Sequence, residues 1–192
     1  MKNFLIIDTA TFNSSVSLLL EENLISCPLP LFEQTKKLIP TIETLLTSQN
    51  LTLKNIDAIA ICTGPGNYTG TRVGAITAKT LSYGANIPLI SFSSFDLFEE
   101  NLPYATLDAR CGRCYLKDPN GLILLTDHNA LKTIVHPVHT LDLEPFNPLN
   151  LKNLKSTNKT LKNLLSILPS SKTISYENLS IDYPTSTGIT TI

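Results

Sequence analysis

The stretch from residue 56 to residue 90, IDAIAICTGPGNYTGTRVGAITAKTLSYGANIPLI, constrains the fold more than any other. It opens with an apolar, β-branched run, Ile56 to Cys62, of the kind that is buried on both faces in a parallel sheet. A glycine-dense turn follows. The chain has eight glycines, and four of them (Gly64, Gly66, Gly70, Gly74) fall within eleven residues. A helical pattern then runs from about Thr69 to Tyr83, with Gly84 placed as a C-terminal cap. Pro88 marks the start of a second β-branched run, Leu89 to Phe92. Strand, turn, helix and strand make one α/β unit.

The turn fits neither common phosphate loop. A P-loop needs a lysine after its last glycine to hold the terminal phosphates, and Thr71-Arg72 follows Gly70 here. Gly64, Gly66 and Gly70 miss the dinucleotide fingerprint by one residue. The spacing gives a ladder instead: Gly70, Gly74 and Ala78 recur every four residues on one helix face. Small side chains there let another backbone approach closely. That backbone belongs either to the chain's own sheet or to a partner helix.

Residues 3 to 8 (NFLIID) predict a buried strand ending in an acid. DTAT makes a polar turn, and Ser15 to Glu21 and Leu24 to Leu29 predict hairpin strands. Residues 33 to 49 have the period of an amphipathic helix with Leu38, Ile42 and Leu45 on one side, and Pro40 favours a start near Ile39. SFSSFDLFEEN predicts a short helix capped by Ser93 or Ser94, with Asp96 near its first turn. YATLDAR and Leu122 to Thr126 predict strands, and residues 136 to 150, with three prolines, predict irregular or edge structure. Residues 149 to 168 have a helical pattern with Leu151, Leu154, Leu161, Leu165 and Leu168 on one face. Lys152, Lys155, Lys159 and Lys162 run beside it, either as a solvated face or as contacts to nucleic-acid phosphates.

The chain of 192 residues is 42% apolar and 16% charged with a net charge of −1, so a globular fold is expected and no global pull toward nucleic acid exists. Its first apolar run is too short for a secretion signal and no run reaches membrane length, so the cytoplasm is the expected location, with no membrane contact. Cys111-Gly-Arg-Cys114 lacks the second ligand pair of a zinc site, Cys27 and Cys62 stand alone, and His128, His136 and His139 have no helical ligand register. No metal site is expected.

GPGNYTGTRVG resembles the G-P-G-[SN]-[FY]-T-G-x-R-[IV]-G segment of the TsaB (YeaZ) family. IIDTATFNSSVSLLL and LDARCGRCY extend the resemblance, in the same order, over roughly residues 1 to 117. The resemblance implies an α/β, actin-like ATPase (ASKHA) fold: a ribonuclease-H-like lobe over 1–100 and a shortened C-terminal lobe over 101–192. It implies a non-catalytic subunit needed for threonylcarbamoyl transfer to the adenosine next to the anticodon in tRNA. The partners implied are TsaD, the catalytic paralogue, and TsaE, an ATPase, with a homodimer when the chain is alone. ATP is then used by the assembled complex, and the isolated chain holds no cofactor. The implied partner surface comprises Leu38, Ile42, Leu45, Gly70, Arg72, Val73, Gly74, Ile76 and Ala78, beside the motif turn of Gly64, Pro65, Gly66 and Thr69. Asp8, Thr9, Thr11 and Asp108 take vestigial phosphate-facing positions. No catalytic residue is implied. Where the family has His-Ser before its Leu-Leu-Pro, this chain has Gln34-Thr35, so no role of that His carries over.

Two other readings stay open. One is a degenerate actin-like ATPase or phosphotransferase with Asp8 and Asp108 holding Mg-ATP. Against it, only Gly112, Gly121 and Gly188 follow residue 110, so the second lobe lacks the glycine pair of an adenosine loop. The other is a metallopeptidase of the M22 glycoprotease type.

Overall fold

Phe4, Leu5, Ile6 and Ile7 alternate across a strand whose two faces are both buried. In the computed structural model, which describes residues 3–30, 33–99, 102–185 and 188–191, this strand is the centre of the first sheet. The strands are β1 (Asn3–Asp8), β2 (Ser15–Leu20), β3 (Asn23–Pro28), β4 (Ala58–Cys62) and β5 (Leu89–Phe92), in the order β3-β2-β1-β4-β5. β1 pairs antiparallel with β2 and parallel with β4, and β4 pairs parallel with β5. The crossovers are helices α1 (Gln34–Ser48) and α2 (Tyr68–Ala85). Both lie on one face, where Leu38, Ile42, Leu45, Ala75 and Ala78 meet Leu5, Ile7, Ile59 and Ile61. The other face, with Phe4, Ile6, Ala60 and Ile90, is covered by Leu164 and Leu168, from α3 (Lys162–Ile167) and the turn after it.

The second sheet repeats this plan. Its strands are β6 (Tyr104–Arg110), β7 (Arg113–Lys117), β8 (Ile123–Asp127), β9 (Val138–Thr140) and β10 (Leu154–Ser156), in the order β10-β9-β6-β7-β8. β6, β7 and β8 are antiparallel, while β9 and β10 add parallel strands on the far side of β6. Where the first sheet has crossover helices of 15 and 18 residues, the second has only the 3-10 segments His128–Thr133 and Glu144–Leu149. Asp182–Thr185 and Gly188–Thr191 form a separate hairpin.

Several expectations change. Helix α1 starts at Gln34 and keeps Pro40 inside it. Pro40 leaves the Lys36 carbonyl without its helical donor, and both residues are exposed, so water can serve that carbonyl. Helix α2 closes on Asn86 in the left-handed conformation (φ 54°), not on Gly84. Within 149–168 only Lys162–Ile167 is α-helical. Leu151 and Leu154 join the second-lobe core, while Leu161, Leu164, Leu165 and Leu168 join the first. The lobe boundary is likewise not a single cut near residue 101. Thr160 N–H donates to Leu97 O (2.9 Å), Ile174 and Leu89 exchange backbone hydrogen bonds (2.8 and 3.0 Å), and Leu179 enters the first core. Residues 160 to 181 therefore return to the first lobe, while the C-terminal hairpin lies beside β8 of the second.

Candidate functional site

The turn after β1 is organised by Asp8. Its Oδ1 accepts from the backbone N–H groups of Ala10 (3.0 Å) and Thr11 (3.1 Å), and the Thr11 hydroxyl donates to Oδ2. The glycine turn clasps this loop from the side. Asn67 N–H donates to Ala10 O (2.7 Å) and the Asn67 side chain caps α2 by accepting from Gly70 N–H (3.1 Å). A Cβ on Gly66 would overlap the Ala10 carbonyl, one on Gly70 the Thr9 carbonyl, and one on Gly74 the Thr9 hydroxyl. The two motifs touch, and the glycines are what allow it.

This overturns the ladder as a partner surface. Gly70, Gly74 and Ala78 are buried against the chain's own β1 turn and sheet. Leu38, Ile42 and Leu45 are at most 4% exposed and belong to the same core, so they too cannot meet a partner. Gly64 and Pro65, joined by a cis peptide, are buried as well, whereas Thr69 is exposed. Thr9 turns toward Gly74 instead of toward the interlobe space, and among the described residues its buried hydroxyl has no hydrogen-bond partner.

Asp8 is fully buried, and its charge is met from inside the molecule. Lys159 Nζ lies 2.6 Å from Asp8 Oδ2 and also donates to Asn13 O (2.7 Å) and Ser15 Oγ (2.9 Å). Burial is the largest influence on the Asp8 carboxyl and pushes it up. The Lys159 ammonium, with hydrogen bonds from Lys159 and Thr11, outweighs it and holds the group below the ordinary carboxylate range. Sequence reading placed Lys159 in an exposed stripe. Lys152, Lys155 and Lys162 are exposed, but the Lys159 side chain is only 10% exposed.

Asp108 occupies the matching place on β6, before the bulge into the β6–β7 hairpin. Its Oδ1 lies 3.2 Å from His128 Nε2, and its Oδ2 lies 3.6 Å from Arg110 Nε. Asp8 and Asp108 do not face a common space. The cavity between the lobes has Thr11, Gln34, Gly66 and Asn67 on one wall and Asp108, Arg110 and Asp142 on the other, and its volume is about 40 Å³. Clefts that take drug-sized ligands hold roughly 300 Å³ or more. Burial, the largest influence, raises the Asp142 carboxyl, and among the described residues its Oδ2 has no hydrogen-bond partner.

What α2 does present outward is a stripe of Tyr68, Arg72, Ile76 and Tyr83, with Val73 half-buried beside it. Tyr68, Ile76 and Tyr83 are 55%, 62% and 70% exposed, and Ile39 on α1 is 50% exposed. The Arg72 guanidinium sits 4.1 Å above the Tyr68 ring, a cation–π contact that stiffens the start of the stripe. Tyr68, Tyr83 and Ile39 were absent from the partner surface in the sequence reading, although the helical spacing of Tyr68 from Arg72 and of Tyr83 from Ile76 marks those two.

Among the described residues, no three His, Cys, Asp or Glu side chains converge as a metal would need. His136 stacks on Tyr104 and His139 lies in β9. Cys111 is exposed in a hairpin turn, while burial pushes the Cys114 thiol up to about 11. No described helix is long and apolar enough to cross a membrane.

The two sheets with one shared strand plan define an α/β protein of the two-lobed, actin-like (ASKHA) class. Within that class the chain is related to the TsaB (YeaZ) family. A family model described as TsaD, tRNA N6-adenosine threonylcarbamoyltransferase, matches residues 33–127. The tRNA threonylcarbamoyladenosine biosynthesis protein TsaB of Haemophilus influenzae is 36% identical over 120 residues, covering 58% of this chain and 51% of that protein. The protein of the same name from Escherichia coli is 32% identical over 134 residues, covering 62% of this chain and 57% of its own length. These matches thus span little more than half of either relative. A crystal structure from Pseudomonas aeruginosa, described as an uncharacterized protein with similarity to peptidase YEAZ, superposes with a TM-score of 0.73. It is 20% identical and covers 95% of this chain and 99% of that one.

Proposed function

We propose that this chain is a non-catalytic subunit supporting threonylcarbamoyl transfer to the adenosine next to the anticodon in tRNA, and that it works by docking on a TsaD-type partner. The Asp8–Lys159 pair carries this reading. An actin-like phosphotransferase would turn its first-lobe acid toward metal-bound phosphate. Here that carboxylate is fully buried and satisfied by the chain's own ammonium. The relationship to TsaB and to the TsaD family model supports the same pathway.

The working surface is then the outer face of the helix pair: Arg72, Val73 and Ile76 from the expected set, joined by Ile39, Tyr68 and Tyr83. Exposed apolar and aromatic groups in one stripe mark contact surfaces, and Tyr and Arg are the types that concentrate binding energy. The same face serves a homodimer when the partner is missing. ATP is used by the assembled complex with TsaE, and tRNA is reached through that complex. Co-purification with the organism's TsaD paralogue tests this. Wild-type chain co-elutes, and Ile76→Glu with Tyr83→Glu, both at exposed positions, elutes alone while still folded. Unchanged co-elution of that variant would remove the face from the account.

A further inference from the structure

We infer that the turn after β1 is a binding cup for a primary ammonium, that Lys159 fills it as a tethered cation, and that this plug latches the two lobes together. A lysine ammonium has three donors and no acceptor. Here it meets three oxygens: Asp8 Oδ2 at 2.6 Å, Asn13 O at 2.7 Å and Ser15 Oγ at 2.9 Å. The count and the distances match, so the ammonium is saturated by the protein. Asp8 is fully buried, and among the described residues Lys159 is its ion-pair partner.

Lys159 sits on an irregular strap between β10 and α3. The strap is fastened to the second lobe by Thr157 N–H on Thr140 O (2.9 Å) and to the first by Thr160 N–H on Leu97 O (2.9 Å). The plug thus lies at the crossing from one lobe to the other. Beside it runs a groove of about 610 Å³ lined by Asn13, Ser15, Ser26, Lys159 and Lys162. A small cation can reach the cup along this groove once the lysine side chain is gone.

Lys159→Ala empties the cup. Its thermal midpoint is expected to fall by roughly 10 °C, since breaking a buried pair strands a charge. Ethylammonium chloride should restore the midpoint saturably, and tetramethylammonium, which has no N–H, should not. Neither salt should distinguish wild type from Asp8→Asn/Lys159→Ala. No response to ethylammonium, or an equal response to tetramethylammonium, would overturn the cup. Should Lys159→Ala not fold, the wild-type chain decides by nitrogen-15 NMR. One lysine ammonium should show slow hydrogen exchange with water, and the absence of any such signal would overturn the plug.

Discussion

Gly70 and Gly84 lie on the same helix, and the structure predicts opposite outcomes for the same substitution. A methyl on Gly70 meets the Thr9 carbonyl, a backbone atom locked between Asp8 and the clasp of Asn67 on Ala10. Over-packing costs about 1–3 kcal/mol, and an immovable backbone neighbour favours the upper end. Alanine returns at most about 1 kcal/mol of helix propensity. The net loss is about 2 kcal/mol, which for a chain of this size lowers the thermal midpoint by roughly 4–8 °C. At Gly84 a Cβ meets nothing within 4 Å. Gly84→Ala should gain about 0.5 kcal/mol and raise the midpoint by roughly 1–2 °C. Scanning calorimetry of the two variants beside wild type reads both. A shift of the same sign at both positions, or a neutral Gly70→Ala, would refute the claim that the glycine turn is held against residues 9 and 10.

Asp8 gives a pH dependence. Its folded pKa is depressed below an unfolded value of about 4, so its charge contributes stability above that pH and the contribution is lost as pH falls through the lower folded value. Urea midpoints of wild type should therefore drop below about pH 4 more steeply than those of Asp8→Asn. Parallel acid limbs would contradict the pairing. Thiol labelling at about pH 8 should modify Cys111 rapidly and spare Cys114, which is buried and held as the thiol with a pKa of about 11. Rapid labelling of Cys114 would mean that the second lobe opens.

Much of the first lobe was legible because its signals are local. The continuous apolar run within residues 3 to 8, the β-branched run ending at Cys62 and the Ser93–Asp96 capping box each specify one element. The ladder was legible as a face but not as a contact. Four-residue spacing says that something comes close, and both a partner helix and the chain's own Thr9 satisfy it. The leucines between 149 and 168 kept a helical period because two cores each use part of it, Leu151 and Leu154 in one and Leu161 and Leu165 in the other. Lys159 was illegible for a plainer reason. It reaches Asp8 across 151 residues of sequence, and no spacing rule connects them.

The most direct measurement sets the cleft against the outer helix face. In a threonylcarbamoyl-transfer assay with the organism's TsaD and TsaE homologues, ATP and tRNA, this chain is supplied as Asp108→Asn or as Ile76→Glu/Tyr83→Glu. The account predicts full support from the cleft variant and little from the face variant. Activity lost with Asp108→Asn and kept with Ile76→Glu/Tyr83→Glu would contradict it.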